Sequence, residues 1–139
     1  MKINLENNLD ESDLEIVRAG MRHYTALHVP YQDYHPLQLI LRDENNKLLG
    51  AALGETGRHW LKISVIWVSE DLRGQGYGTK LLQAMEEQAI ANDCQQAFLD
   101  TFSYQARPFY EKLGYEVFGT LDDYPPGHKR YFMKKRLVD

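Results

Sequence analysis

Residues 67–79 read Trp67-Val68-Ser69-Glu70-Asp71-Leu72-Arg73-Gly74-Gln75-Gly76-Tyr77-Gly78-Thr79. The stretch leaves an apolar, β-branched run, passes three glycines in five residues, and enters a helical pattern. A strand, a glycine turn and a helix in that order suit the binding of an anion. The first helix N–H groups lack intrahelical partners, and the helix dipole places partial positive charge there. Glycines let the backbone bend and let a phosphate approach without meeting a Cβ. Arg73 adds a fixed charge beside them. Such turns also occur only to turn the chain, so the pattern leaves both readings open. A P-loop needs Gly-Lys-Ser/Thr, whereas Gly78-Thr79-Lys80 has the wrong order. A dinucleotide fold needs a third glycine where Thr79 stands and a parallel first unit.

Upstream of this stretch, residues 60–68 form the longest strand candidate, rich in β-branched and aromatic side chains. Residues 48–55 and 37–42 are two further strands, separated by the polar turn Asp43-Glu44-Asn45-Asn46-Lys47, with another turn at Gly57-Arg58. Together they predict an antiparallel meander. Before it, Ser12-Asp13-Leu14-Glu15 reads as a capping box. Leu14, Val17, Met21, Tyr24 and Leu27 then recur at helical spacing, and Pro30 ends the helix. Tyr31-Gln32-Asp33-Tyr34-His35-Pro36 reads as a loop or a broken turn.

Downstream, Leu81, Leu82, Met85, Ala89 and Ile90 mark the buried stripe of a helix that ends at Asn92-Asp93. A strand over 97–102, a short helix over 104–113 closed by Gly114, and strands over 115–121 and 130–137 complete the chain. A loop over 122–127 with Pro125-Pro126 joins the last two strands. The crossover between the 60–68 and 97–102 strands makes them parallel neighbours. The predicted class is α/β (α+β by some schemes): a mixed, mostly antiparallel sheet of about six or seven strands with helices on both faces.

The chain has 139 residues, 43% hydrophobic and 26% charged, an ordinary globular balance and the size of one domain, residues 1–139. A net charge of -4 weighs against a general nucleic-acid binder. The sole cysteine, Cys94, has no intramolecular disulfide partner, so a cytoplasmic location is expected. No segment approaches the roughly 20 apolar residues of a membrane span, and the first residues lack a signal-peptide core. His23 and His28 lie five apart, off a common helix face, so no metal site is expected. Lys134-Lys135-Arg136 reads as a solvated strand end.

Arg73-Gly74-Gln75-Gly76-Tyr77-Gly78 resembles the Q/R-x-x-G-x-G/A signature of the GNAT superfamily of N-acetyltransferases. Ser103-Tyr104-Gln105-Ala106-Arg107-Pro108-Phe109-Tyr110-Glu111-Lys112-Leu113-Gly114-Tyr115 resembles that family's N-x-x-A-x-x-x-Y-E-K-x-G-F segment. Ser103 replaces the common asparagine, and Tyr115 the common phenylalanine. The spacing of the two segments and the order of elements also fit, most firmly over residues 60–115.

The resemblance implies acetyl-CoA as donor and a primary amine of a small molecule or peptide as acceptor; a non-catalytic acetyl-CoA- or CoA-binding module is the alternative, since a fold alone does not guarantee activity. It implies a splayed parallel strand pair that admits the pantetheine arm. Ile66, Trp67 and Val68, then Arg73, Gly74, Gln75, Gly76, Tyr77, Gly78 and Thr79, and finally Ser103, Ala106, Phe109 and Tyr110 are the implied donor-binding positions. Tyr110 matches the tyrosine that protonates the leaving thiolate, although helical spacing alone would make it a packing aromatic. The amine must also lose a proton, and Glu55, Asp100, Glu70, His35 and His128 are candidate bases by type. Tyr24, Tyr31, Tyr34, His35, Tyr124, His128 and Trp60 are candidates for the acceptor wall, where aromatic faces attract cations. Small members of the family are often dimers, which makes a homodimer the expectation here.

Overall fold

The computed structural model describes residues 1–29 and 34–139. The chain divides into two compact units, Met1–Gln32 and Asp33–Asp139.

The first unit holds helix α1, Glu11–Ala26. Its cap is Asp10 rather than Ser12. The Asp10 carboxylate accepts from the Asp13 N–H at 2.9 Å and from the Ser12 hydroxyl at 2.8 Å. A carboxylate takes both donors and suits the positive helix end, so the box starting at Ser12 does not form. The helix stops at Ala26, before Pro30, and Pro30 and Tyr31 lie outside the described residues.

The second unit contains β1 (His35–Arg42), β2 (Leu48–Gly57), β3 (Trp60–Val68), α2 (Tyr77–Ala91), β4 (Gln96–Phe102), α3 (Arg107–Lys112), β5 (Glu116–Asp122) and β6 (Lys129–Arg136). They form a six-stranded sheet in the order β1-β2-β3-β4-β6-β5. Only β3 and β4 are parallel, and every other neighbouring pair is antiparallel. His35 and Pro36 open β1, paired with Thr56 and Glu55, instead of lying in a loop. Helix α3 is shorter than the spacing predicts. Gln105 folds back to accept from the Phe102 N–H at 3.0 Å, so residues 103–105 turn before Arg107 begins the helix.

Leu61 and Ile63 of β3, Ala97 and Leu99 of β4 and Met133 of β6 make one buried cluster with Leu81, Leu82, Met85 and Ala89 of α2 and Tyr110 of α3. Alternation along each strand puts these side chains on one face of the sheet. Both helices of this unit therefore pack on the same face.

Two irregularities shape the functional region. In the β2–β3 ladder Leu53 pairs with Val65 and Gly54 with Ile63, which leaves Ser64 as an extra residue in β3. A bulge of this kind bends its strand. The β3–β4 ladder consists of Trp60 with Gln96, Leu61 with Ala97 and Lys62 with Phe98, and it ends there, before the bulge. Beyond it the two parallel strands no longer pair with each other, though each stays paired on its outer edge, and a gap opens between them.

Candidate active site

The gap is a cleft of about 590 Å³ lined by residues 64–68 of β3, Arg73, Thr101, Gln105, Ala106 and Tyr110. Unpaired strand edges offer backbone N–H and C=O groups to an extended ligand arm, as an added strand would use them. Thr101 and Gln105 carry no family signal in sequence, yet they shape this wall. The Thr101 hydroxyl donates to Gln105 Oε1 at 3.3 Å and accepts from the Ala106 N–H at 3.4 Å.

Next to the cleft, and sharing Val68 and Arg73 with it, is a recess of about 470 Å³. Gly74, Gly76, Tyr77, Gly78 and Thr79 line one side, and Phe109 and Lys112 are also in its wall. Gly76 caps α2 with φ of 87°, a left-handed conformation that leaves no side chain over the helix end. A Cβ built at Gly74 or Gly76 would meet nothing within 4 Å, so the space above the turn is open. Arg73 is anchored by its Nε–H to the Val68 carbonyl at 3.1 Å. Gln75 is turned back to the Asp71 carbonyl at 3.1 Å and does not line the recess. The donor set of exposed helix N–H groups and cations, with open space before it, fits a pyrophosphate.

Tyr110 is 8% exposed and lines the cleft. Its ring meets Phe109 and Tyr115 edge-on. Burial, and then the negative charge of Asp100, raises its phenol above the ordinary tyrosine value. Both effects disfavour the phenolate, so the hydroxyl stays protonated at neutral pH.

The other nominated residues fall in several places. Asp100 forms an ion pair with Arg130, Oδ1 to Nε at 2.8 Å, and the bond raises the guanidinium further. Arg130 also lies 5.0–5.3 Å from the ring centroids of Tyr124, Phe102 and Phe132. Ser103 faces β6: its hydroxyl accepts from the Lys129 N–H at 3.0 Å and lies 3.4 Å from His128 Nδ1. It therefore staples the end of β4 to the start of β6. Glu55 pairs across the ladder with Lys62 and joins Tyr34, Trp60 and Phe98 around a separate pocket of about 340 Å³. Tyr124 joins Phe102 and Tyr104 in an aromatic slot, with His128 edge-on to Tyr104. His35 is exposed on β1, and Glu70 is exposed in the single 3-10 turn Glu70–Leu72. Tyr24 belongs to the first unit, on α1.

A buried network was not visible in the sequence. Glu86 of α2, 8% exposed, accepts from the Tyr115 hydroxyl on Oε2 at 2.9 Å and from Lys135 Nζ on Oε1 at 3.2 Å. Lys135 is thus half-buried and paired, instead of solvated with its neighbours.

The sheet with one splayed parallel pair, the glycine-turn recess and the cleft-lining tyrosine together define a class, the acyl-CoA-dependent acetyltransferases. The model of the acetyltransferase (GNAT) family matches residues 7–115, and the chain belongs to that family. The match extends across both compact units. A crystal structure of an acetyltransferase from Agrobacterium tumefaciens superposes with a TM-score of 0.90 at 29% identity, covering 98% of this chain and 99% of that one. One from Bacillus cereus gives 0.86 at 31% identity, covering 96% and 97%. A blasticidin-S acetyltransferase of Streptomyces morookaense is 30% identical over 78% of this chain and 82% of its own length. The protein is an N-acetyltransferase of a family that uses acetyl-CoA as its acetyl donor.

Proposed function

We propose that the protein, as one domain over residues 1–139, acetylates a primary amine of a small molecule by direct attack, with a peptide amine as the less favoured acceptor. The observation that carries this reading is the buried, protonated Tyr110 lining the gap where the parallel strands β3 and β4 separate. The likeness, over 78% of this chain, to a relative named blasticidin-S acetyltransferase favours the small-molecule acceptor.

Acetyl-CoA, when bound, supplies a thioester with a thiolate leaving group. Residues 73–79 would hold its pyrophosphate on backbone N–H groups. The edges of β3 at 66–68 and the wall at Ala106 and Phe109 would hold its arm. A backbone N–H near Val68 would stabilise negative charge developing on the thioester oxygen, favouring the transition state over the ground state. Tyr110 would supply a proton from its O–H to the leaving thiolate. The amine's proton leaves through water to Asp100 or Glu55. An alkyl ammonium of pKa about 10.4 must give up a proton at a cost of roughly 4–5 kcal/mol at pH 7, so a relay to a carboxylate assists. Asp100 has the better position, since its charge is felt at Tyr110. Tyr124 and His128, both beside Tyr104, supply the acceptor wall, and the enzyme works as a cytoplasmic homodimer.

The test is thiol release from acetyl-CoA against pooled amines: blasticidin S, aminoglycosides, polyamines, amino acids and short peptides. Release above the acceptor-free rate with a small-molecule pool is expected. Release with peptides alone would reassign the acceptor.

A further inference from the structure

The aromatic slot at the end of β4 has a size, a shape and a charge that together specify a ligand. Phe102, Tyr104, Asp123, Tyr124 and Pro125 enclose about 280 Å³. That is below the roughly 300–1,000 Å³ of a pocket that takes a whole ligand, so the slot fits one group of a larger molecule. It adjoins the cleft along the chain: Phe102 follows Thr101, and Tyr104 precedes Gln105, both in the cleft wall. The Tyr104 and Tyr124 rings tilt from the Phe102 ring by 11° and 30°, at centroid distances of 5.3 and 5.7 Å. Rings this close to parallel present flat faces, which suit a flat partner. The wall is also held in place. The Tyr124 N–H donates to the His128 carbonyl at 3.1 Å, and the His128 N–H to the Pro125 carbonyl at 2.9 Å. The His128 ring then packs edge-on against Tyr104.

Charge decides what the flat partner carries. Among the described residues Asp123 is the one charged group in the lining, and it forms no salt bridge. Lys129, which feels its charge, is held by Asp122. The protein's own Arg130 shows what these rings accept. Its guanidinium lies 5.3 Å from the Phe102 centroid and 5.0 Å from that of Tyr124, outside the slot lining, with its charge matched by Asp100. A guanidinium is planar, weakly hydrated and able to stack on an aromatic face, whereas an ammonium is a compact, strongly hydrated point charge. We propose that the slot determines acceptor specificity by binding a planar cation of the guanidinium type, carried by the molecule whose amine is acetylated. The proposal rests on the reading of the protein as an acetyltransferase of small-molecule amines.

Three amines of similar length test it: agmatine, which ends in a guanidinium, cadaverine, which ends in an ammonium, and hexylamine, which ends in a methyl group. Calorimetry with CoA present measures binding without acetyl transfer, and thiol release from acetyl-CoA measures acetylation. Agmatine should bind about tenfold more tightly than either of the others, the scale of a stacked cation. The preference should shrink to within about threefold in Tyr124→Leu and in Asp123→Asn. Both side chains are exposed, so the variants should fold, and circular dichroism checks this. No agmatine preference in the wild-type protein, or a preference retained in both variants, would overturn the proposal. Agmatine bound with the expected preference, but no amine acetylated, would support the slot's ligand and overturn the small-molecule acceptor reading instead.

Discussion

Tyr110 combines two demands that usually conflict. It is packed like a core aromatic, 8% exposed among Phe109 and Tyr115, and it also lines the cleft. Burial is what keeps its proton in place. Tyr110→Phe removes one oxygen and leaves the ring packing, so the fold should survive. Turnover should fall at least about tenfold, within the usual range for a positioned acid, while acetyl-CoA affinity stays within a few-fold. Steady-state kinetics paired with calorimetry read both quantities. The pH dependence follows from the sign of the shift. A phenol raised above about 10 holds its proton throughout the neutral and mildly alkaline range, while the acceptor amine becomes deprotonated as pH climbs. The rate should therefore rise with pH toward 9, with no descending limb from Tyr110 below about pH 10. A descending limb centred near pH 8 that disappears in Tyr110→Phe would contradict this assignment.

At the level of elements, the cleft exists because one ladder is interrupted and its neighbour stops early. Gly54 sits at the interruption. A Cβ there would lie 2.2 Å from the Lys62 carbonyl oxygen, a backbone atom that cannot move aside cheaply. Gly54→Ala should therefore push β2 and β3 apart just before the bulge at Ser64. A cost of about 1–3 kcal/mol is expected, read as a lower urea midpoint, together with weakened acetyl-CoA binding because the gap changes shape. Unchanged stability and affinity would show that the ladder absorbs the methyl group elsewhere. Gly76 is the other sensitive position. Its φ of 87° costs an L-residue roughly 1–2 kcal/mol, and the affected N–H groups are those at the recess. Gly76→Ala should weaken acetyl-CoA binding more than it lowers the melting temperature.

Across the whole molecule, the Glu86–Tyr115–Lys135 network joins α2, the segment after α3, and β6. It sits behind Tyr110, whose carbonyl accepts from the Tyr115 N–H at 3.0 Å. Burial, the charge of Glu86 and the hydrogen bond to it all raise the Tyr115 phenol. A group raised in the folded state contributes stability that is fully present below its unfolded pKa and is lost as pH rises past it. Stability should thus be insensitive to Tyr115 up to about pH 10, then fall by up to about 1.4 kcal/mol per pH unit. Urea unfolding between pH 8 and 11 measures the slope. Tyr115→Phe, which keeps the ring and leaves Glu86 paired with Lys135, should make that slope shallower. An identical slope in the variant would show that other groups drive alkaline unfolding.

Much of the architecture was legible in residue order, because its signals are local. Apolar, β-branched and aromatic runs marked the strands to within a few residues, three- and four-residue spacing marked the longer helices, and the glycine turn marked the recess beside β3. The crossover rule alone made β3 and β4 parallel neighbours. What the sequence could not reveal depended on partners distant along the chain. Asp10 caps α1 where Ser12 offered an equally plausible local motif, because a carboxylate accepts both available donors. Lys135 is paired with Glu86 across 49 positions, and Asp100 with Arg130 across 30. The nominated acceptor residues fall around different pockets, with Glu55 and Tyr34 at one and Tyr124 at another. Lys112 borders the recess only because α3 folds back on α2. Backbone periodicity is written residue by residue, whereas the choice of partner for a charge or a hydroxyl is made by strand register and helix packing, which exist only once the sheet has formed.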